Sequence, residues 1–209
     1  MGEGMLIAAI DFSTTAEDEF HDWYDLEHVP ERARVPGFLA CERWIGAKNP
    51  KQSIATYELD SVEVLHSAEY RAISGENFSP WTKRMMSRVE VLSRIEGELI
   101  IAAGDPRADA PALLLNAMNI PPEHEMEFNE WYNKEHIPAL AAVPGTLSAA
   151  RYRGRGGRHH YVAIYRLVSP EVPDSAAWKT AANTPWTEKL RPHFRDHLRI
   201  VARGYRRSP

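Results

Sequence analysis

Two short apolar runs, MLIAAI at residues 5–10 and LLLNAM at residues 113–118, each open a stretch of chain with the same alternation of apolar and polar positions. Runs this short, bounded by Gly, Asp or Pro, read as buried strands. After each run the period lengthens to that of a helix. Phe20, Trp23, Tyr24 and Glu27 stand at i, i+3, i+4 and i+7, which places them on one helical face. Ser13, Thr14 or Thr15 can cap this helix ahead of an acidic first turn. In the second stretch Pro121 and Pro122 sit at the helix start, where a missing amide costs little. Pro30 and Pro138 kink or restart the helices, and Pro36-Gly37 and Pro144-Gly145 end them. Two strands with a turn follow: LACERW and SIATYEL around GAKNPKQ, then LSAARYR and YVAIYRL around GRGGRHH. A second helix begins near Ser61 and near Ser169, a PWT turn opens a short amphipathic helix, and a last strand closes each stretch at residues 94–102 and 198–205. The order is β-α-β-β-α-β, the ferredoxin-like arrangement, written twice.

The two stretches are copies. Residues 20–46 reappear without a gap as residues 128–154, with Phe20, His28 and Arg43 each 108 positions ahead of Phe128, His136 and Arg151. The PWT turns at Pro80 and Pro185 are 105 apart, so the second copy has lost three residues in a loop. A unit this long that occurs twice is a duplicated domain, since a solenoid needs three or more short repeats. The expected boundaries are 1–104 and 105–209, with residues 105–111 as the linker. An open four-stranded sheet leaves one face and its edges bare. Two such sheets facing each other close into a barrel. The expected fold is therefore α+β: two fused ferredoxin-like repeats forming a pseudo-dimeric α/β barrel with an apolar interior and the helices outside.

Composition narrows the partners. A net charge of −4 argues against a general nucleic-acid binder. The single cysteine, Cys41, excludes an internal disulfide, so nothing points to an oxidising compartment. The apolar run near the N-terminus is too short to span a bilayer and no basic residues precede it. The expectation is a cytoplasmic protein with a small-molecule substrate and neither nucleic acid nor membrane as partner.

The string F-x-x-W-Y-x-x-E-H-[IV]-P, present as FHDWYDLEHVP and FNEWYNKEHIP, is followed in both copies by V-P-G and then by an arginine beside an aromatic residue. This pattern resembles the dimeric α/β-barrel superfamily and, within it, the small EthD-like proteins. The resemblance covers both halves. It implies a range of activities: cofactor-free quinol monooxygenases, polyketide cyclases, lactone isomerases, haem-using and haem-degrading enzymes, and proteins without assigned activity. Fold analogy sets these candidates and does not choose among them. Fused halves remove the need for a second chain to build the barrel, while leaving back-to-back pairing into a homodimer open.

The chemistry-bearing residues each admit two readings. His28 and His136 end a helical segment, so they are either general acid–bases at the barrel mouth or protonated caps at the negative end of the helix dipole. Tyr24 and Tyr132 share a face with Glu27 and Glu135, as a structural network or as proton donors beside a base. Trp23, Trp131, Trp81 and Trp186 are core or pocket wall. Arg43 and Arg151 are scaffold if they pair with Glu27 or Glu135, and a clamp for a carboxylate or enolate if they face the barrel. Asn116 interrupts a buried strand where the first copy has Ala8, which suits either a bonded core amide or a group that orients substrate. His21 stands where the second copy has Asn129 and lies seven residues before His28, a spacing suited to a proton relay or a metal pair, although no third ligand marks a zinc site. Of His159 and His160 only one can face a pocket; His66, His193 and His197 are expected on the surface. The GRGGRHH turn is basic but lacks the context of a phosphate-binding loop. The leading expectation is a cofactor-independent enzyme of isomerase, cyclase or lyase type, acting by general acid–base catalysis on a small apolar carbonyl or aromatic compound. His28 or His136 would be the base, Tyr24 or Tyr132 its partner, and Asn116 or Arg151 would orient the oxyanion. The alternatives are haem or oxygen chemistry, with His28, His136 or His193 as axial ligand, and a non-catalytic small-molecule binding protein.

Overall fold

In a computed structural model that describes residues 3–105 and 109–206, eight antiparallel strands close into one barrel. Residues 106–108 of the expected linker lie outside the described residues. The first half supplies β1 (Gly4–Asp11), β2 (Phe38–Gly46), β3 (Gln52–Leu59) and β4 (Glu90–Gly104). The second supplies β5 (Ala112–Asn119), β6 (Thr146–Gly154), β7 (Tyr161–Leu167) and β8 (Arg195–Gly204). Around the barrel the order is β1-β3-β2-β8-β5-β7-β6-β4, so each half keeps its own four strands together and meets the other at two seams. At one seam Trp44–Gly46 of β2 pair with Gly204–Ala202 of β8. At the other, Gly97–Gly104 of β4 pair with Gly154–Ser148 of β6. Gly97 is needed there: a Cβ on it would lie 2.8 Å from Cβ of Tyr152.

Strand alternation sorts apolar residues to two faces. Met5, Ile7 and Ala9 of β1 join Leu113, Leu115 and Ala117 of β5, with residues from all six other strands, in a core inside the barrel. Their neighbours Leu6 and Ile10, or Leu114 and Met118, pack outward against the helices of their own half. The barrel interior is therefore filled, with a residual void of about 20 Å³ beside Tyr152 and Arg166, scarcely more than one water needs. This corrects the expectation of a site at the barrel mouth or interior. Two roomier cavities lie outside the barrel, one between sheet and helices in each half.

The helices are α1 (Glu17–Trp23), α2 (Val29–Ala33), α3 (Ala68–Arg71) and α4 (Pro80–Met86) in the first half, and α5 (Pro122–Trp131), α6 (Ile137–Ala141), α7 (Ala176–Ala182) and α8 (Pro185–Leu190) in the second. None is long and apolar enough to cross a membrane. Two local expectations are corrected. The residue that caps α1 is Ala16, with no side-chain hydrogen bond. Ser13 and Thr15 serve the preceding turn instead, where the Ser13 amide donates to Asp11 Oδ1 and Thr15 Oγ1 to Phe12 O, both at 2.9 Å, while the Thr14 hydroxyl donates to Arg88 O. Moreover α1 does not break at its proline. It passes through a π turn, Tyr24–His28, in which the Val29 amide reaches back to Tyr24 O, and Tyr132–His136 repeats it. Proline has no amide for the carbonyl four residues earlier, and the slipped ladder accommodates that gap. The slip also rotates the face: in a regular helix Trp23 and His28 lie about 140° apart, yet here their ring centroids are 4.4 Å apart. His28, rather than Glu27, completes the buried face.

Candidate active site

The repeated motif residues first build a scaffold. Trp23 Nε1 donates to Thr82 Oγ1 at 2.9 Å and Trp131 Nε1 to Thr187 Oγ1 at 3.1 Å, so the Trp of each WY pair is bonded to the Thr of the matching PWT turn. Ser79 caps α4 through the Thr82 amide, and its hydroxyl donates to Glu27 Oε1 at 2.5 Å. Thr184 repeats this with the Thr187 amide and Glu135 Oε1. Glu27 and Glu135 thus tie the π turns to the short helices, and neither reaches a cavity. Trp81 and Trp186 also stand off both cavities. Trp186 donates to Glu127 at 3.0 Å, while the buried Nε1 of Trp81 has no partner among the described residues.

Arg43 and Arg151 form matching clamps, but not onto Glu27 or Glu135. Arg43 pairs with Asp25 at 2.6 Å and donates to His21 Nδ1 at 2.9 Å. Arg151, wholly buried, donates to the side-chain carbonyls of Asn133 at 2.9 Å and Asn129 at 2.7 Å. Each guanidinium lies over tyrosine rings: Tyr24 and Tyr205 for Arg43, Tyr132 and Tyr161 for Arg151. With amides in place of a carboxylate, burial draws Arg151 down to about 10. His21 is consumed in this clamp. Its ring stacks on Tyr205 at 4.5 Å, and burial and Arg43 lower its basicity. It shares no cavity with Asn116. Among the described residues no group of three or more His, Cys, Asp and Glu is placed to hold a metal ion.

A wide cleft of about 510 Å³ runs beside Asp25, Arg43 and Tyr205. A narrower cavity of about 210 Å³ lies between sheet and helices in the second half. Leu114, Met118, Trp131, Trp178 and Phe194 make its apolar wall. Its polar edge carries Asn116, Tyr165, His136, His197, Arg191 and Arg199. Asn116 is the centre of a chain: Nδ2 donates to Tyr132 Oη at 3.2 Å, and Oδ1 lies 2.6 Å from His197 Nε2. Because the amide nitrogen is turned to the tyrosine, the oxygen accepts, which places the His197 proton on Nε2 and leaves Nδ1 basic. Burial, then Arg199 and His159, keep His197 below its ordinary pKa, and burial pushes Tyr132 up. His197 is exposed, as expected of it, and it also edges this cavity, a placement that its surface position alone did not signal. A second comparison of the copies finds it. Pairing of Ala8 with Arg94 and of Asn116 with Arg199 shows that β4 and β8 correspond by 105 positions, so His197 replaces Leu92. Asn116 and His197 are thus two apolar-to-polar differences on adjacent strands, bonded to each other.

His28 and His136 are buried against Trp23 and Trp131, and their Nδ1 atoms have no partner among the described residues. Burial, with Arg151 and Arg191 adding to it, draws His136 down to about 3, and His28 also falls well below its ordinary value. Burial thus disfavours the charged form of both rings, and each sits inside a continuous helical run rather than at a helix end. His136 lines the second-half cavity. His28 lines its counterpart in the first half, of about 80 Å³, where Arg32 stands in place of Leu140. The His193 ring lies 3.6 Å from that of His124, tilted by 32°. His159 is buried and held by Ser93 Oγ at 2.7 Å and Asp196 O at 2.8 Å, whereas His160 and His66 are exposed.

No family model and no curated protein matches the sequence. Solved structures do. The chain is similar over 98% of its length, and 92% of the other, to an anthrone oxidase-like protein, at a TM-score of 0.71 and 12% identity. It is similar to a candidate monooxygenase from Fusobacterium nucleatum subsp. nucleatum at a TM-score of 0.64 and 10% identity, covering 98% and 94% of the two chains. A heme-degrading enzyme from Listeria monocytogenes aligns at a TM-score of 0.53 and 10% identity, covering 96% and 98%. At these identities the likeness is one of fold: the dimeric α/β barrel, here closed within one chain.

Proposed function

We propose that this chain is an enzyme whose working site is the second-half cavity, where it removes a proton from a small, flat aromatic or carbonyl compound. The observation that carries the reading is the His197–Asn116–Tyr132 chain on the cavity edge, with Asn116 and His197 both absent from the first half. A neutral imidazole whose Nε2–H is held by an amide presents Nδ1 as a base. The anion left on the substrate is an enolate or phenolate. Arg191 and Arg199 line the same space and offer charge to its oxygen, and the buried Tyr165 hydroxyl has no other partner among the described residues. The apolar wall takes the ring. At about 210 Å³ the space lies below the roughly 300–1,000 Å³ of sites for drug-sized ligands, which sets the scale of the substrate.

Two outcomes are open to such an anion. Reprotonation at another carbon is an isomerisation. Reaction with dioxygen converts an activated ring methylene to a carbonyl: the carbon loses two hydrogens and gains one oxygen atom, and the second oxygen atom leaves as water. The anthrone oxidase-like and monooxygenase neighbours favour oxidation. Haem, which the Listeria monocytogenes neighbour degrades, does not fit these residues. Of the two histidines in the cavity, His136 is packed 4.3 Å from the Trp131 ring and His197 Nε2 is held by Asn116, and a haem macrocycle is larger than the space of about 210 Å³. No step is routed through it. The test is oxygen uptake with anthrone, beside exchange of the substrate's acidic hydrogen in deuterated buffer under argon. His197→Ala is expected to slow both by roughly 10²–10⁴-fold without loss of fold. Undiminished exchange in that variant would remove His197 as the base.

A further inference from the structure

The first-half cavity is more than a shrunken copy of the second. Arg32 enters it from α2, at the position of Leu140 in the second half, and its side chain is only 3% exposed. Both of its hydrogen bonds leave from Nη1, to His28 O at 3.1 Å and to Glu31 Oε2 at 3.4 Å. The second is long, and burial and Glu27 hold Glu31 above its usual range. Nη2 and Nε donate to no described residue. A buried guanidinium is costly unless its charge and its five donors are met. Around the same space stand Arg94, the Tyr57 hydroxyl and the His28 ring; Tyr57 Oη and His28 Nδ1 are buried without partners among the described residues. The rest of the wall is apolar: Leu6, Ile10, Phe78 and Met86. At about 80 Å³ the space holds several times what one water needs, which is about 10–15 Å³.

A cation with unused donors, an unused hydroxyl and an apolar floor are complementary to one ligand class. We propose that the first-half cavity binds a small aliphatic carboxylate, its oxygens taken by Arg32 and the Tyr57 hydroxyl and its short chain lying on Leu6 and Ile10. Glu31 meets the charge only through the long contact at Nη1, and water can fill the volume without adding a second anion. The site is distinct from the second-half cavity, where Leu140 stands in place of Arg32.

Isothermal titration of the full chain with sodium propionate at fixed ionic strength tests this, with propionamide as an uncharged control. One-site saturable binding of propionate and none of the amide is expected. Arg32→Leu copies the residue that the other half tolerates, and is expected to weaken binding at least about tenfold. Tyr57→Phe keeps the ring and is expected to weaken it roughly threefold to tenfold, which serves if the arginine variant does not fold. Asn116→Ala is expected to leave the affinity unchanged, separating this site from the one proposed for catalysis. Absence of saturable binding overturns the proposal, as does equal binding of the amide. So does equal competition by chloride, or affinity retained in both Arg32→Leu and Tyr57→Phe.

Discussion

Asn116 has an internal control, because the first half carries Ala8 at the matching position of β1. Asn116→Ala is therefore expected to fold with little change in Tm while freeing His197 from its tautomer. Turnover of the proposed reaction should fall by at least about tenfold, with substrate KM nearly unchanged, as befits loss of a positioning group rather than of binding area. Since His197 must be neutral to act, kcat/KM in the parent protein should rise with pH through a value below the ordinary 6.5 and stay flat above it. A profile that instead falls as His197 deprotonates would reverse its role from base to acid. The buried histidines govern stability. His136 binds its proton at about 3 in the folded chain against 6.5 when unfolded, so the unfolded state holds more protons between those values. Stability is complete above about 6.5 and is lost as pH falls towards 3. His136→Gln should flatten the decline of Tm over this window; an unchanged slope would show that other groups control it.

At the scale of elements, the motif F-x-x-W-Y-x-x-E-H-x-P is explained by the π turn and by the bond from each tryptophan to the PWT threonine. The helical period, the proline and the two copies were legible in the chain. The slipped register was not, because a 3.6-residue period assigns Glu27 to the face that His28 occupies, and one extra residue in a turn leaves no mark on composition. For the same reason Glu27 and Glu135 read as site residues, whereas they hold α4 and α8 against the π turns. Thr187→Val removes the hydroxyl that accepts from Trp131 and leaves a buried indole N–H unsatisfied, at a cost of about 1–3 kcal/mol. Thr82→Val should cost a similar amount in the first half. The pair differ in function: only Thr187 and Trp131 wall the second-half cavity, so only the Thr187 change should also lower activity. Equal activity losses in both would place the working site elsewhere.

At the scale of the molecule, the repeat foretold the two sheets and their closure, since strands that recur in the order β-α-β-β-α-β leave edges that only the other copy can cover. It did not tell whether the closed space was a pocket or a core, because the same alternation of apolar residues encloses either. Side-chain volume decides, and Ile7, Ile54, Ile95, Leu115 and Ile164 fill the space from both halves at once. That shared core has a consequence for folding. Neither half can keep its inner face buried alone, and the β4–β6 seam runs from Gly97 to Gly104, so the two repeats are expected to unfold as one unit. Calorimetric and van't Hoff enthalpies should agree, and fluorescence and far-UV probes should give coincident transitions. A wedge at the seam sharpens the test. In Gly97→Val the new side chain starts 2.8 Å from Cβ of Tyr152 on the opposite half, and overpacking of this kind costs about 1–3 kcal/mol. One transition shifted to lower temperature is the expected result. Two separate transitions, with the second half unmoved, would mean that each repeat is stable by its own helix-facing core and that the barrel is only their contact.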